Sequence, residues 1–195
     1  MGKMRDEKRG RKLLLTLLIV GVVGSLAGIG TFSAFSSTTD NTGNLFEAGT
    51  VYITDNDGGA SSLYNVTNQK PGDTVTSCIK VTYTGSLDAT VKLYGSGVGA
   101  LGPYVNLTIV EGTGGGAFGS CAGFTAGATV FGPAALSTFP TTYAGGLSTG
   151  GTWNNPKTVT YQFTVTLADN NNANGQGSGP ITTGTHSFTW EARNV

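Results

Sequence analysis

The sequence predicts an all-β protein, an antiparallel jelly-roll-like sandwich behind an N-terminal signal helix. Apolar side chains recur at every second position in several stretches after residue 50, which is typical of strands with one buried face. Turns rich in glycine separate these stretches, and the chain has 32 glycines among 195 residues. A basic and then apolar segment precedes them, and no stretch behind it has a convincing helical period.

The first 33 residues have the pattern of a secretion signal. Six of the eleven basic residues lie in residues 1–12, residues 13–27 are almost wholly apolar, and small residues follow. This order predicts a signal peptide, so the rest of the chain is expected outside the cytoplasm. The alternative is a retained anchor, because residues 13–35 carry no charge and could cross a bilayer core of ~30 Å. Membrane contact is expected only through an uncleaved leader.

The clearest predicted strand is residues 157–167, where Val159, Tyr161 and Phe163 alternate with threonine and glutamine. The same alternation predicts further strands at residues 51–53, 75–83, 87–93, 105–109 and 188–192. Sixteen of the 32 glycines lie between residues 95 and 151. This middle part is therefore expected to hold long loops and short strands.

Charge excludes one class of partner. Behind the leader the chain has five basic and nine acidic residues, so it carries no basic patch. Binding to nucleic acid is not expected, because neutralisation of phosphates by basic side chains supplies most of that affinity.

The chain has two cysteines, Cys78 and Cys121. In an oxidising compartment such a pair is expected to form one disulfide. The strand phase places Cys78 on the outer face of its strand, opposite to Ile79 and Val81. The bond is therefore expected to tie a surface loop over the sheet and not to cross-link the core.

Three patterns resemble enzyme motifs without the structural context that those motifs need. Residues 97–102 match GxGxxG, but Pro103 and a predicted strand follow where a dinucleotide site needs a helix. Residues 146–150 match GxSxG, but their flanks indicate a loop. His186, the sole histidine, is in phase with Phe188 and is expected to be a half-buried strand residue. No catalytic residue and no enzymatic activity are predicted.

Residues 55–58 resemble the opening of a calcium loop. The twelfth position from Asp55 is Val66 and not glutamate, so an EF-hand is excluded. An ordinary Asx turn is the default expectation. The alternative is an irregular calcium site formed by Asp55, Asp57 and Asp169. No other cofactor or metal is expected.

Several short blocks resemble one family of exported proteins. The blocks are residues 30–35, 44–51, 65–74, 84–89 and 188–192. The first two are similar to proteins that a SipW-type signal peptidase processes. The third, which contains Lys-Pro-Gly-Asp, resembles the N-x-KPGD turn of the TasA/camelysin family. The last two resemble the GSL turn and the last strand of that family.

This resemblance implies a structural subunit of extracellular fibres in a biofilm matrix. Cleavage between Ser33 and Ala34 would leave a donor segment, residues 34–44, ahead of a jelly-roll domain, residues 45–195. Ala34, Phe35 and Ser37 would belong to the strand that is added to a neighbouring subunit. The implied partners are a SipW-type signal peptidase and further copies in a head-to-tail filament. Leu45 and Phe46 either extend the donor or begin the first strand of the domain itself.

Two other functions stay open at this point. Camelysin is described as a metalloprotease, so the chain could be an extracellular metallopeptidase, although the zinc ligands for that activity are not visible in the sequence. The third hypothesis is a monomeric adhesion domain at the cell surface, since a fold does not determine a function.

Overall fold

The computed structural model describes residues 3–30, 39, 43–59, 62–173 and 179–195. The chain divides into two units, residues 1–46 and residues 47–195. The first unit contains helix α1, Lys3–Gly30. Among the described residues, no helix combines the length and the hydropathy that are needed to cross a membrane.

The second unit is all-β, which confirms the predicted fold class. Its strands form an antiparallel five-stranded sheet in the order β1-β2-β7-β4-β5 and an antiparallel three-stranded sheet in the order β6-β3-β8. The strands are β1 (Ile53–Asp55), β2 (Thr74–Tyr83), β3 (Ala89–Gly95), β4 (Val105–Thr113), β5 (Thr125–Ala135), β6 (Leu147–Trp153), β7 (Lys157–Leu167) and β8 (Phe188–Asn194).

β7 is the central strand of the larger sheet. It pairs with β2 from Lys157 to Thr166 and with β4 from Thr160 to Leu167. Its inward side chains Tyr161 and Phe163 are fully buried. Leu93 of β3 in the smaller sheet joins them in one hydrophobic cluster, so the two sheets pack as a sandwich.

The glycine-rich middle differs from the expectation of long loops and short strands. It contains β4, β5 and β6, which have 9, 11 and 7 residues. Several of its glycines lie at irregularities in the β4–β5 ladder, where the register shifts. A Cβ atom at Gly112 or Gly132 would overlap a carbonyl oxygen of the partner strand. These glycines allow close strand pairing and do not mark loops.

Candidate functional site

One side of the sandwich is open, between β1 and β2 of the larger sheet and β8 of the smaller sheet. A cavity of about 210 Å³ lies there. This volume is below the ~300–1,000 Å³ of ordinary small-molecule sites, so the cavity suits a single side chain better than a metabolite. The lining residues are Ile53, Thr54, Asp55, Val81, Phe188, Thr189 and Trp190.

β8 presents a free backbone edge on this open side, because it pairs only with β3 among the described strands. The direction of its backbone groups follows from two flanking hydrogen bonds. The Ser96 N–H donates to Ser187 O (3.1 Å), and the Val195 N–H donates to Asp88 O (3.2 Å). Odd-numbered residues of β8 therefore bond to β3, and the even-numbered residues, including Trp190 and Ala192, direct their N–H and C=O groups outward.

Trp190 gives this side an unsatisfied polar atom. Its ring lies against the rings of Tyr161 and Phe163, at centroid distances of 5.3 and 6.1 Å. Its Nε1 is buried, and among the described residues it is the one buried side-chain nitrogen or oxygen without a hydrogen-bond partner. Such a group is costly to leave unpaired, and the Trp190 ring lies against the Tyr161 ring in the interior of the sandwich.

The residues just ahead of the domain carry two exposed apolar side chains. Leu45 is 85% exposed and Phe46 is 98% exposed. Neither lies in a strand, and β1 starts only at Ile53. The alternative in which they begin the first strand of the domain therefore does not fit. An adjacent apolar pair behind a long polar stretch is the sequence signal that could have identified them.

The predicted cleavage pair, Ser33 and Ala34, and the predicted donor residues Phe35 and Ser37 lie outside the described residues.

The predicted calcium ligands are not brought together. The Asp57 N–H donates to Asp55 Oδ1 (3.0 Å), and the Gly59 N–H donates to the Asp57 carboxylate, so this segment forms Asx turns. Asp55 pairs with Val81 near one end of β2, whereas Asp169 follows the end of β7 that pairs with Thr74. Seven residues of β2 separate those levels, a distance of about 23 Å.

Nor do the enzyme-like motifs acquire the structural context that they need. Gly102 begins a short 3₁₀ turn that leads into β4, with no helix for a dinucleotide. Ser148 lies inside β6, not at a strand-to-helix turn. His186 is half-buried, and both ring nitrogens are engaged, Nε2 with the Tyr64 hydroxyl (2.6 Å) and Nδ1 with Gly184 O (3.2 Å).

The structure contains the Cys78–Cys121 disulfide. Cys78 lies outside the hydrophobic core cluster, which its strand neighbour Ile79 joins. It is nevertheless only 2% exposed. A loop, residues 114–124, carries Cys121 and lies against the Cys78 backbone through Gly119.

Comparison with known protein families gives a match over the N-terminal half of the chain. A family model described as "Camelysin metallo-endopeptidase" matches residues 10–96, from within α1 to just past β3. A search of curated proteins found no match. The matched range contains the Lys-Pro-Gly-Asp turn at residues 70–73 and the Gly-Ser-Leu turn at residues 85–87. This match and these motifs support assignment of residues 10–96 to the TasA/camelysin family.

Proposed function

We propose that this protein is a secreted structural subunit that polymerises into extracellular fibres of a biofilm matrix by N-terminal donor-strand exchange. The match to the TasA/camelysin family supports a secreted protein. The observation that carries the proposal is the open side of the sandwich, where β8 has a free edge beside the cavity. An edge of this kind is a template for an added strand.

The donor in this proposal is the arm, which we define as residues 34–46. Cleavage after Ser33 would free it, and it would end at the exposed pair Leu45 and Phe46. This boundary extends the arm by two residues beyond 44, in agreement with the division of the chain after residue 46. Thirteen extended residues span at most about 45 Å, whereas the seven residues of β8 need about 23 Å.

The acceptor is the β8 edge. A strand laid along it would give partners to the outward N–H and C=O groups of Trp190 and Ala192. The inward side chains of that strand would then face the cavity between Ile53 and Phe188. Burial of one apolar side chain there contributes about 2 kcal/mol.

Addition in trans is favoured by the path of the chain ahead of β1. The Leu87 N–H donates to Thr50 O (3.1 Å), and the Thr84 N–H donates to Tyr52 O (3.0 Å). Residues 50–52 therefore run along residues 84–87, beyond the end of β2. A chain that continues in that direction must turn back to reach Trp190 of its own domain. The arm of a neighbour has no such constraint, and repeated head-to-tail addition that does not close gives a filament.

The proposal is tested by blocking the β8 edge with Ala192→Pro in the mature chain. Proline removes the outward N–H of residue 192, while the hydrogen bonds to β3 come from odd-numbered residues. We expect a folded protein, judged by circular dichroism, that forms no fibres in negative-stain electron microscopy. Ala192→Ser is the matched control, because it keeps the N–H, and it should form normal fibres.

A second variant covers the case in which Ala192→Pro fails to fold. Removal of residues 34–46 takes away the arm and leaves β8 intact, so we expect a monomer that forms no fibres. Normal fibres from folded Ala192→Pro or from the armless chain would overturn the proposal. A mature wild-type protein that stays monomeric would also overturn the proposal, and it would favour the monomeric adhesion domain.

A metallopeptidase is the second candidate, because the description of the matched family names one. The described residues do not fit a catalytic metal. Within them, no three histidine, cysteine, aspartate or glutamate side chains are grouped so that they could hold an ion. His186, the one histidine of the sequence, is engaged at both nitrogens. Stoichiometric zinc in the purified protein, together with casein cleavage that a chelator abolishes, would establish this alternative.

A further inference from the structure

The edge of β2 that faces β1 has three different partners along its length. β1 pairs with β2 only from Val81 to Tyr83. The next outward residue, Lys80, donates its N–H to Asn56 Oδ1 (2.8 Å) and accepts from the Asn56 N–H (3.2 Å). The outward residue after that, Cys78, is covered by a segment from a distant part of the chain. Without that segment, most of the β2 edge would be unpaired.

The covering segment is the loop between β4 and β5, residues 114–124, which we call the latch loop. It leaves β4 across the outer face of β7, where Thr160 Oγ1 donates to Gly114 O (2.7 Å). Thr160 is only 1% exposed in consequence. Farther along the loop, the Gly119 N–H donates to Cys78 O (2.9 Å), and the Cys78 N–H donates to Gly119 O (3.5 Å). Gly119 thus imitates one residue of a neighbouring strand.

Phe118 completes the cover. Its side chain is half-buried and packs against the hydrophobic core. The latch loop therefore provides both a backbone partner for the β2 edge and an apolar side chain for the interior. These are the two contributions that an added strand makes to an edge.

The disulfide holds this cover in place. Five of the eleven latch-loop residues are glycine, and Gly114, Gly115, Gly119 and Gly123 have positive φ values between 74° and 82°. Glycine loses the most conformational freedom when it is ordered. The noncovalent hold at Cys78 consists of two backbone hydrogen bonds and one half-buried phenyl ring. Among the described residues, and apart from the bond between Thr160 and Gly114, the other hydrogen bonds of the loop join its own residues, so the covalent bond from Cys121 to Cys78 fixes the loop on the β2 edge.

We propose that the Cys78–Cys121 disulfide is a latch that keeps the β2 edge from pairing with the same edge of a second copy. Reduction by a dithiol breaks the S–S bond and gives two protein thiols, while the dithiol is oxidised to its own disulfide. The latch loop then leaves the edge, so the outward N–H and C=O groups of Cys78 lose their partner and the edge from Thr74 to Cys78 becomes continuous and open. Two such edges associate antiparallel, which is an isologous contact and gives a dimer. The oxidised chain restricts strand addition to β8.

The test compares disulfide-free and disulfide-bonded chains in the Ala192→Pro background, so that fibre growth on β8 does not obscure the result. The disulfide-free form carries Cys78→Ala and Cys121→Ala, and dithiothreitol treatment of the bonded form serves as a second route. We expect faster amide hydrogen exchange in residues 74–80 and 114–124, an unchanged circular dichroism spectrum, and a dimer in light scattering. Phe118→Ala with the disulfide intact is the matched control and should remain monomeric.

Wild-type protection of the Cys78 and Gly119 amides in the folded disulfide-free chain would overturn the proposal. Loss of that protection without dimers would overturn it as well. The double variant could fail to fold while the bonded form, after dithiothreitol treatment, gives a folded dimer. That dimer, formed by the chain with its wild-type cysteines reduced, would support the proposal. Fibres from the oxidised Ala192→Pro chain would instead contradict the donor-strand function, so the two failures are distinguishable.

Discussion

Removal of the two exposed apolar side chains of the arm, Leu45→Ala with Phe46→Ala, should weaken assembly without weakening the fold. Both side chains are almost fully exposed in the single chain, so we expect the stability of the domain to change by less than about 0.5 kcal/mol. In the fibre joint one of the two would face the cavity, because adjacent residues of a strand point to opposite faces, and the burial of a leucine or a phenylalanine stabilises by about 2 kcal/mol. Their loss therefore costs about 2 kcal/mol per joint, a weakening of about 30-fold.

The measurement is the critical concentration for polymerisation of the mature chain, taken from the pelleted fraction at increasing protein concentration. The double variant should require about 30-fold more protein than the wild type, with an unchanged melting temperature. Val66→Ala is the matched control, because Val66 is also exposed, at 44%, but lies outside the arm. Equal critical concentrations for the folded double variant and the wild type would refute the role of these side chains.

Three further predictions concern the domain itself. Trp153→Ala should lower the free energy of unfolding by about 3–5 kcal/mol in urea denaturation, because Trp153 is fully buried and its Nε1–H donates to Thr149 O; a loss below about 1 kcal/mol would contradict that packing. Partial burial, and secondarily the Asp57 carboxylate, raise the pKa of Asp55. The folded state therefore keeps its full stability at a pH below the unfolded pKa of Asp55 and loses stability as the pH rises through the folded pKa and the carboxyl ionises. Asp55→Asn should consequently melt at a higher temperature than the wild type at pH 7 and at the same temperature at pH ~2.5. A higher melting temperature at both pH values would contradict this assignment. Calcium should leave the melting temperature of the mature chain unchanged, because Asp169 lies too far from Asp55 to share an ion, and a rise with calcium would show a site that this geometry does not provide.

The strands with a regular apolar alternation could be predicted from the sequence. β7 carries alternating apolar side chains over its whole length, and one face of it is buried as that pattern predicts. The strands β5 and β6 escaped prediction because packing of their backbones requires glycine at bulges, and glycine in a sequence indicates a turn equally well. At Gly132 the glycine belongs to a bulge and not to a turn, because the carbonyl oxygen of Leu107 lies where a Cβ atom would be. Leu107 is distant in sequence, so this contact could not be read from the residues around Gly132.

The candidate site was less accessible to sequence reasoning than the fold. The phase of β2 placed Cys78 on the outer face, but the burial of that face depends on the latch loop, which comes from another part of the chain. The free edge of β8 follows from the strand order, which no local pattern encodes. The exposure of Phe46 likewise depends on where β1 begins, and alternation alone placed that start two residues too early, at Val51.

The two long sides of the sandwich are unlike, since β5 and β6 lie against each other on one side while the side between β1 and β8 holds the cavity. A filament joined through only one of these sides has a direction. One terminus would display a vacant cleft and the other an unused arm, so the termini would elongate at different rates. A synthetic peptide with the sequence of the arm would then act as a chain terminator at the cleft terminus alone and leave existing joints intact.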